Sequence, residues 1–357
     1  MPSKVYYIKT EDGEPIKSVS KKLNSLILES GLLKRLDKDS FTGIKLHFGE
    51  KDNTGHIHPE LVREVIKILS GRTKNVFLTD SNVLYKGTLR NNSVDHLKLA
   101  HDHGYGMAAM GAPIIIADGL LGRNFVEIPV NKKHFKTVKI ATEIAQCDSL
   151  VVLTHITGHI LTGLAGTLKN LGMGCASRRG KYEQHCGMIP EIKNEFCIGC
   201  GLCVTHCPES AITLKSKKAQ IKSERCIGCG ECIIVCRTQA IETAWSETLE
   251  KVQEKMVEYA YGAYVAAKRK TICINVHIKV TKNCDCLAKD EPAIVQDAGI
   301  LISDDPVSID KASADILNEA GKKDIFRANY PEIDWAAQLR HAAQIGLGSI
   351  DYTLERI

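Results

Sequence analysis

The sequence contains one cysteine spacing twice. Cys197, Cys200, Cys203 and Cys207, followed by Pro208, form C-x2-C-x2-C-x3-C-P, and Cys226, Cys229, Cys232 and Cys236 repeat it with Arg237 where the first copy has proline. Thiolate sulfur is a soft ligand suited to iron clusters, and the two-residue gaps let three ligands wrap one cluster while the fourth reaches across to the other. The spacing therefore predicts two [4Fe-4S] clusters. The first is assigned to Cys197, Cys200, Cys203 and Cys236, the second to Cys226, Cys229, Cys232 and Cys207. Gly199, Gly201, Gly228 and Gly230 lie between ligands, where backbone N–H groups must approach sulfide and a side chain would obstruct them. A pair of four-cysteine zinc sites is the alternative, but zinc does not need this doubled, glycine-spaced arrangement. A segment of this kind, spanning 191–243, handles single electrons at low potential.

The repeats occupy a small part of a chain of 357 residues, so a larger body surrounds them. Before them, apolar runs alternate with helix-like stretches: KVYYI, SVSKKLNSLILESGLL, GIKLHF, PELVREVIKILS and NVFLTD. PIIIAD and SLVVLTH are apolar enough to be buried central strands. After the repeats, SETLEKVQEKMVEYAYGAYVAAKR has helical periodicity and KTICINVHI reads as a further strand. PVSIDKASADILNEAG starts another helix behind a proline, and the chain closes on a helix and a short strand-like tail. The expected fold is α/β, a mixed or parallel sheet flanked by helices, with an inserted α+β dicluster module. The expected units are 1–190 and 244–357, forming one α/β domain, and 191–243 between them.

Lys plus Arg number 47 against 42 Asp plus Glu, with no long basic tract, which argues against nucleic-acid binding. The N-terminal MPSKVYYIKTEDGE lacks a signal peptide's apolar stretch, and no run reaches the roughly 18 apolar residues of a membrane span. A cytoplasmic protein is expected, with its 14 cysteines mostly thiolate ligands or small buried side chains rather than disulfides. Cys147 and Cys273 read as core.

In such sheets ligands bind where loops leave the carboxyl ends of the strands. Here those ends carry His47 and Glu50, Asp80, Asp118, His155 and His159, and Asn275 and His277. Two further segments stand out. Residues 154–181 combine a glycine-rich turn with Lys169, Asn170, Arg178, Arg179 and Lys181, and a helix N-terminus in such a turn suits a carboxylate or phosphate. Residues 283–310 contain Cys284 and Cys286 flanking Asp285, followed by Asp290, Asp297, Asp305 and Asp310. This C-x-C pair reads either as a structural turn or as a second metal or redox site, with Cys175, Cys186, His185 and His277 as partners only folding could supply. His47, His155, His159 and Lys169 are the candidate catalytic residues: histidine moves protons near neutral pH and lysine neutralises an anion. No nicotinamide fingerprint lies at a strand-to-helix turn, and no flavin signature is evident.

The cysteine repeats resemble those of the bacterial dicluster ferredoxins. TGLAGTLKNLGMG, the doubled repeat, NCDC and SDDPVSID, in this order, resemble a widespread family of uncharacterised prokaryotic iron-sulfur proteins, in which a large domain of unknown function carries a ferredoxin module. That resemblance implies the architecture, the cluster content and an anaerobic host. The glycine-rich loop with Lys169 is similar to the substrate-binding loop of lactate-racemase-like proteins, which handle small hydroxy acids. The expected function is relay of low-potential electrons, from a redox partner protein or other donor, to a sheet-edge site holding a small anionic ligand. The alternatives are a metal- or cofactor-handling protein using the C-x-C segment, with an additional metal, and a plain electron carrier.

Overall fold

A computed structural model of the chain describes residues 2–84, 88–185, 189–207, 209–226, 230–242 and 248–357. Cys229 and Gly228 of the second repeat, Pro208 of the first, and Cys186 lie outside the described residues. Eight strands form the main sheet: β1 (Ser3–Ile8), β2 (Phe41–Lys45), β3 (Asn75–Asp80), β4 (Ile114–Ile116), β5 (Ser149–His155), β6 (Thr271–His277), β7 (Gly299–Ser303) and β8 (Tyr352–Arg356). Their spatial order is β8-β1-β7-β6-β5-β2-β3-β4. Every neighbouring pair is parallel except the two that involve β7, which runs against β1 and β6. The fold is thus α/β with a mixed, mostly parallel sheet. Strand β5 pairs β6 across the cysteine-bearing segment, so the sheet resumes after it.

Alternation along the central strands explains why helices cover both faces. On β5, Val151 and Leu153 join one core, and Leu150 and Val152 join the other. The first core is covered by α1 (Ile16–Glu29) and α2 (Pro59–Ser70), which bury Leu23, Leu26, Leu61 and Val65. The second is covered by α3 (Thr167–Cys175) and α5 (Leu249–Ala266), with α4 (Arg178–His185) beside them and α6 (Pro306–Gly321) towards β1 and β6. Pro306 at the first helical position and the Asp305 carboxylate, which accepts the Val307 and Ser308 N–H groups, fix the start of α6. Asp305 is thereby spent on capping.

Residues 191–242 form a small α+β unit beside the sheet. It has a hairpin, Ile212–Lys215 with Lys218–Ile221, and a second antiparallel pair, Glu191–Ile192 with Ile241–Glu242. Two short helices, Leu202–Thr205 and Glu231–Val235, complete it. Its core is built on Cys203, Cys232, Cys236, Ile212, Ala219, Ala240 and Ile241. No helix among the described residues is long and apolar enough to cross a membrane.

Helices α3 and α5 touch at Gly172, where a Cβ would stand 2.3 Å from the Met256 backbone oxygen. Backbone cannot turn aside as a side chain can. Gly172→Ala is therefore expected to destabilise the protein by about 2 kcal/mol, read as a lowered urea midpoint with an unchanged slope.

Candidate functional site

The carboxyl ends of β2, β3 and β5 open into a pocket that encloses about 930 Å³, its mouth included. His47, just past β2, His155 at the end of β5, His159 in the hairpin that follows, and Lys169 on α3 all line it. So do Asp80, Asn170, Lys181, His185, Cys284, Asp285 and Cys286. Other residues marked from the sequence stand elsewhere. Glu50 is buried against Arg90, with Nε to Oε2 at 3.0 Å. Asp118 accepts hydrogen bonds from Asn82, and Arg178 donates to the carbonyls of Leu84, Asn91 and Leu121. Arg179 lies 3.8 Å from Glu183. His277, Cys175, Cys147 and Cys273 are buried away from the pocket, and burial pushes the Cys147 and Cys175 thiols up to about 12, which makes them inert. Asp290 pairs with Lys279, and Asp297 accepts the Lys279 N–H.

The helix N-terminus in the glycine-rich segment does not cradle an external anion. The Asp310 carboxylate, reaching over from α6, accepts the Thr167 N–H at 2.7 Å and the Leu168 N–H at 2.8 Å. Asn275 of β6 braces it: its Nδ2 donates to Asp310 at 2.9 Å and its Oδ1 accepts from the Thr167 hydroxyl at 2.7 Å. Gly166 is required here, because a Cβ would lie 2.4 Å from Asp310 Oδ1. The free N–H groups that favour anions at helix starts are thus occupied by the protein's own carboxylate.

Side chains supply the donors instead. His47 Nδ1 accepts the Gly49 N–H at 2.9 Å, which places the ring's proton on Nε2. That Nε2 is buried without a hydrogen-bond partner among the described residues. Burial, reinforced by Arg90, Lys169 and Lys45, keeps the ring well below its usual pKa, so it stays a neutral donor. The Lys169 ammonium has no hydrogen bond or ion pair among the described residues, and burial lowers it to about 8. Lys181 is lowered to about 8 by the same cause. Lys45, which the sequence reading passed over, donates to Asn170 at 2.6 Å and pairs with Asp80 at 2.9 Å. A lysine two residues before His47 in an apolar strand was the available signal, since both then point to one face.

His155 is the opposite case from His47. Its Nδ1 lies 2.9 Å from Asp285 and its Nε2 lies 2.9 Å from the Ile278 carbonyl, so both nitrogens face acceptors. Burial opposes the charge, but Asp285 and the backbone oxygens outweigh it and raise the pKa. Gly55 permits the approach of Asp285, since a Cβ there would stand 2.8 Å from its Oδ1. His159 remains neutral, held well below its usual range by burial and by Lys169 and His185. His185 itself is lowered to about 4, first by burial.

In the small unit, Cys197, Cys200, Cys203 and Cys236 line one cavity together with Gly199 and Gly201. Both glycines have positive φ, and a Cβ on Gly199 would stand 2.2 Å from the Lys217 oxygen. Cys197 Sγ accepts the Ala219 N–H at 3.4 Å, and Cys207 Sγ accepts the Ala211 N–H at 3.2 Å. These are the donor set and the close backbone that a cluster with four sulfur ligands needs. Helix α4 links the two regions. Its Lys181 and His185 line the large pocket, while the ring of its Tyr182 lies against Gly230, where a Cβ would meet it at 2.5 Å.

A family model described as a domain of unknown function, DUF362, matches residues 42–315, taking in the pocket and both cysteine repeats. No curated protein matches the chain. Among solved structures, the lactate racemase apoprotein from Thermoanaerobacterium thermosaccharolyticum is similar at 14% identity and a TM-score of 0.41, over 76% of this chain and 50% of that one. A protein from Thermotoga maritima is similar at 10% identity and a TM-score of 0.37, over 94% of this chain and 61% of that one. The chain therefore spans half to about three fifths of the length of these two proteins.

The two lysines give the pocket a pH signature. Both are cationic below about 8 and neutral above it, so binding of a small carboxylate such as acetate should weaken with rising pH. Calorimetric titration is expected to find about tenfold lower affinity near pH 9 than near pH 7.

Proposed function

The chain belongs to the DUF362 family, a domain of unknown function that brings no reaction with it, and from its residues we propose an iron-sulfur protein. In this reading it relays single low-potential electrons through two [4Fe-4S] clusters to the large pocket, where a small anion is bound. The clusters would be held by Cys197, Cys200, Cys203 and Cys236, and by Cys226, Cys229, Cys232 and Cys207. When bound, they supply reversible one-electron storage.

Helix α4 is the observation that carries this reading. One short helix offers Lys181 and His185 to the pocket and packs Tyr182 on Gly230 of the second repeat, so the second repeat reaches the pocket wall at Gly230. The first set is nearer solvent: Cys200 is exposed, and Phe196 and Ile198 beside it are 54% and 66% exposed. Electrons from a redox partner would enter there and leave towards α4.

Within the pocket, the chain's own groups divide the work. Among the described residues the buried His47 Nε2–H and the Lys169 ammonium have no acceptor, and a carboxylate oxygen satisfies both. His155, its pKa raised, is locked to Asp285; of the two lysines near 8, Lys181 is bonded to Ser81 and Ala176, so Lys169 is the one placed to exchange a proton near neutral pH. His47, neutral, acts as a hydrogen-bond donor rather than as an acid.

Two measurements test this. Anaerobically purified protein should contain about eight irons and eight sulfides, two clusters of four each, with reduced-cluster electron paramagnetic resonance after dithionite. Cys203→Ser should lose about half of the iron. Lys169→Ala should keep all of it while binding acetate about tenfold more weakly. Full iron with undiminished acetate binding in Lys169→Ala would remove the anion site from the reading; absence of cluster iron from the wild type would remove the relay.

A further inference from the structure

Three side chains that the acid-base and anion-binding groups leave over meet on one wall of the pocket. The Cys284 and Cys286 sulfurs and one ring nitrogen of His159 all lie within 4.8 Å of one another. In the structure the two sulfurs are joined as a disulfide.

The surroundings hold these three in place. Gly158 lets the hairpin carrying His159 sit directly on the loop before Cys284: its N–H donates to Thr281 O at 2.9 Å, and a Cβ would stand 2.2 Å from Lys282 O. His159 Nδ1 contacts Thr162 Oγ1 at 3.0 Å and the Leu161 N–H at 3.3 Å. These contacts orient the ring and leave Nε2 for an outside partner. The thiol loop is braced as firmly. Asp285, between the cysteines, is tied to His155; Asn283 is bonded to Glu291 and to the Tyr330 hydroxyl at 2.6 Å; Asn53 donates to the Leu287 and Lys289 carbonyls. A turn needed only to bury two small thiols has no use for an imidazole aimed at them or for this many ties.

We propose that Cys284, Cys286 and His159 form a metal site for one divalent cation of the zinc class, open when the disulfide is reduced. Reduction by a dithiol takes two electrons and two protons to the sulfurs, breaks the S–S bond and yields two thiols. The cation then displaces both thiol protons to solvent and binds two thiolates and the neutral imidazole. Two thiolates balance its charge, which lets the site persist in a buried wall. Three protein ligands leave a fourth position, open to the pocket that Lys169 and His47 also line. The disulfide form holds no metal, so the site is gated by redox state. The proposal needs only these three side chains and stands whether or not the clusters feed the pocket.

The test uses the full chain, purified anaerobically with its iron. It is treated with dithiothreitol or left untreated, incubated with zinc, desalted, and analysed for zinc and iron by mass spectrometry. Reduced wild type is expected to keep about one zinc per chain and the untreated protein none. Cys286→Ser and His159→Ala should each lose that zinc with iron unchanged, which also reports that the variants are folded. Zinc-edge absorption should show two sulfur ligands near 2.3 Å and nitrogen near 2.0 Å. Zinc retained in both variants, no zinc in reduced wild type, or a four-sulfur environment marking zinc in the cluster cysteines would each overturn the site.

Discussion

The pocket depends on one carboxylate. Asp310 projects from α6, caps α3 through two backbone N–H groups, and is itself held by Asn275 from the middle of β6. Three elements far apart in sequence are locked at one buried point. Because an ionised group is costly to bury unless its oxygens are all engaged, any shift of α3 against the sheet would leave charge unpaired. Lys169 and Asn170 on the next turn inherit that rigidity. The same contact uses up the electropositive end of α3, which leaves side-chain donors such as His47 and Lys169 to face the pocket.

Burial then assigns opposite roles to chemically identical side chains. His47 and His159 meet desolvation and neighbouring cations, and stay neutral. His155 meets the same desolvation but has an acceptor at each nitrogen, and is driven towards the cation. Lys45 is neutralised by Asp80, whereas Lys169 has no such partner among the described residues. A pocket wall with His155 driven towards the cation, neutral His47, His159 and His185, and two lysines near 8 suits a small anion better than a cationic guest.

The small cysteine unit leaves this frame undisturbed. Its residues lie between β5 and β6, adjacent parallel strands whose crossover already requires a long connection. A crossover that also carries α3, α4 and α5 can hold an insertion at low cost to the sheet. The glycines that make close approaches, Gly199 within the unit and Gly230 against Tyr182, are where backbone must substitute for side chain.

The sequence by itself made the doubled cysteine repeat legible, because spacing within twelve residues is a local property that survives any arrangement of the rest. It also determined the α/β class and most of the strands, because the period of apolar residues reports one-sided or two-sided burial directly. It marked His47, His155, His159 and Lys169, which the structure brings together on one pocket, since each lies at the end of a buried strand or near a glycine turn. The antiparallel strand β7 went unread: GILIS sits within a stretch dominated by acids, and one of its pairing partners, β1, lies at the other end of the chain. Only the tertiary structure decided that Asp310 closes the end of α3, that Asp285 serves His155 while its two neighbours face His159, and that α4 joins the cysteine unit to the pocket. Those outcomes depend on contacts between segments from about fifty to more than a hundred residues apart, and on burial that shifts proton affinities. Neither quantity exists until the chain is folded.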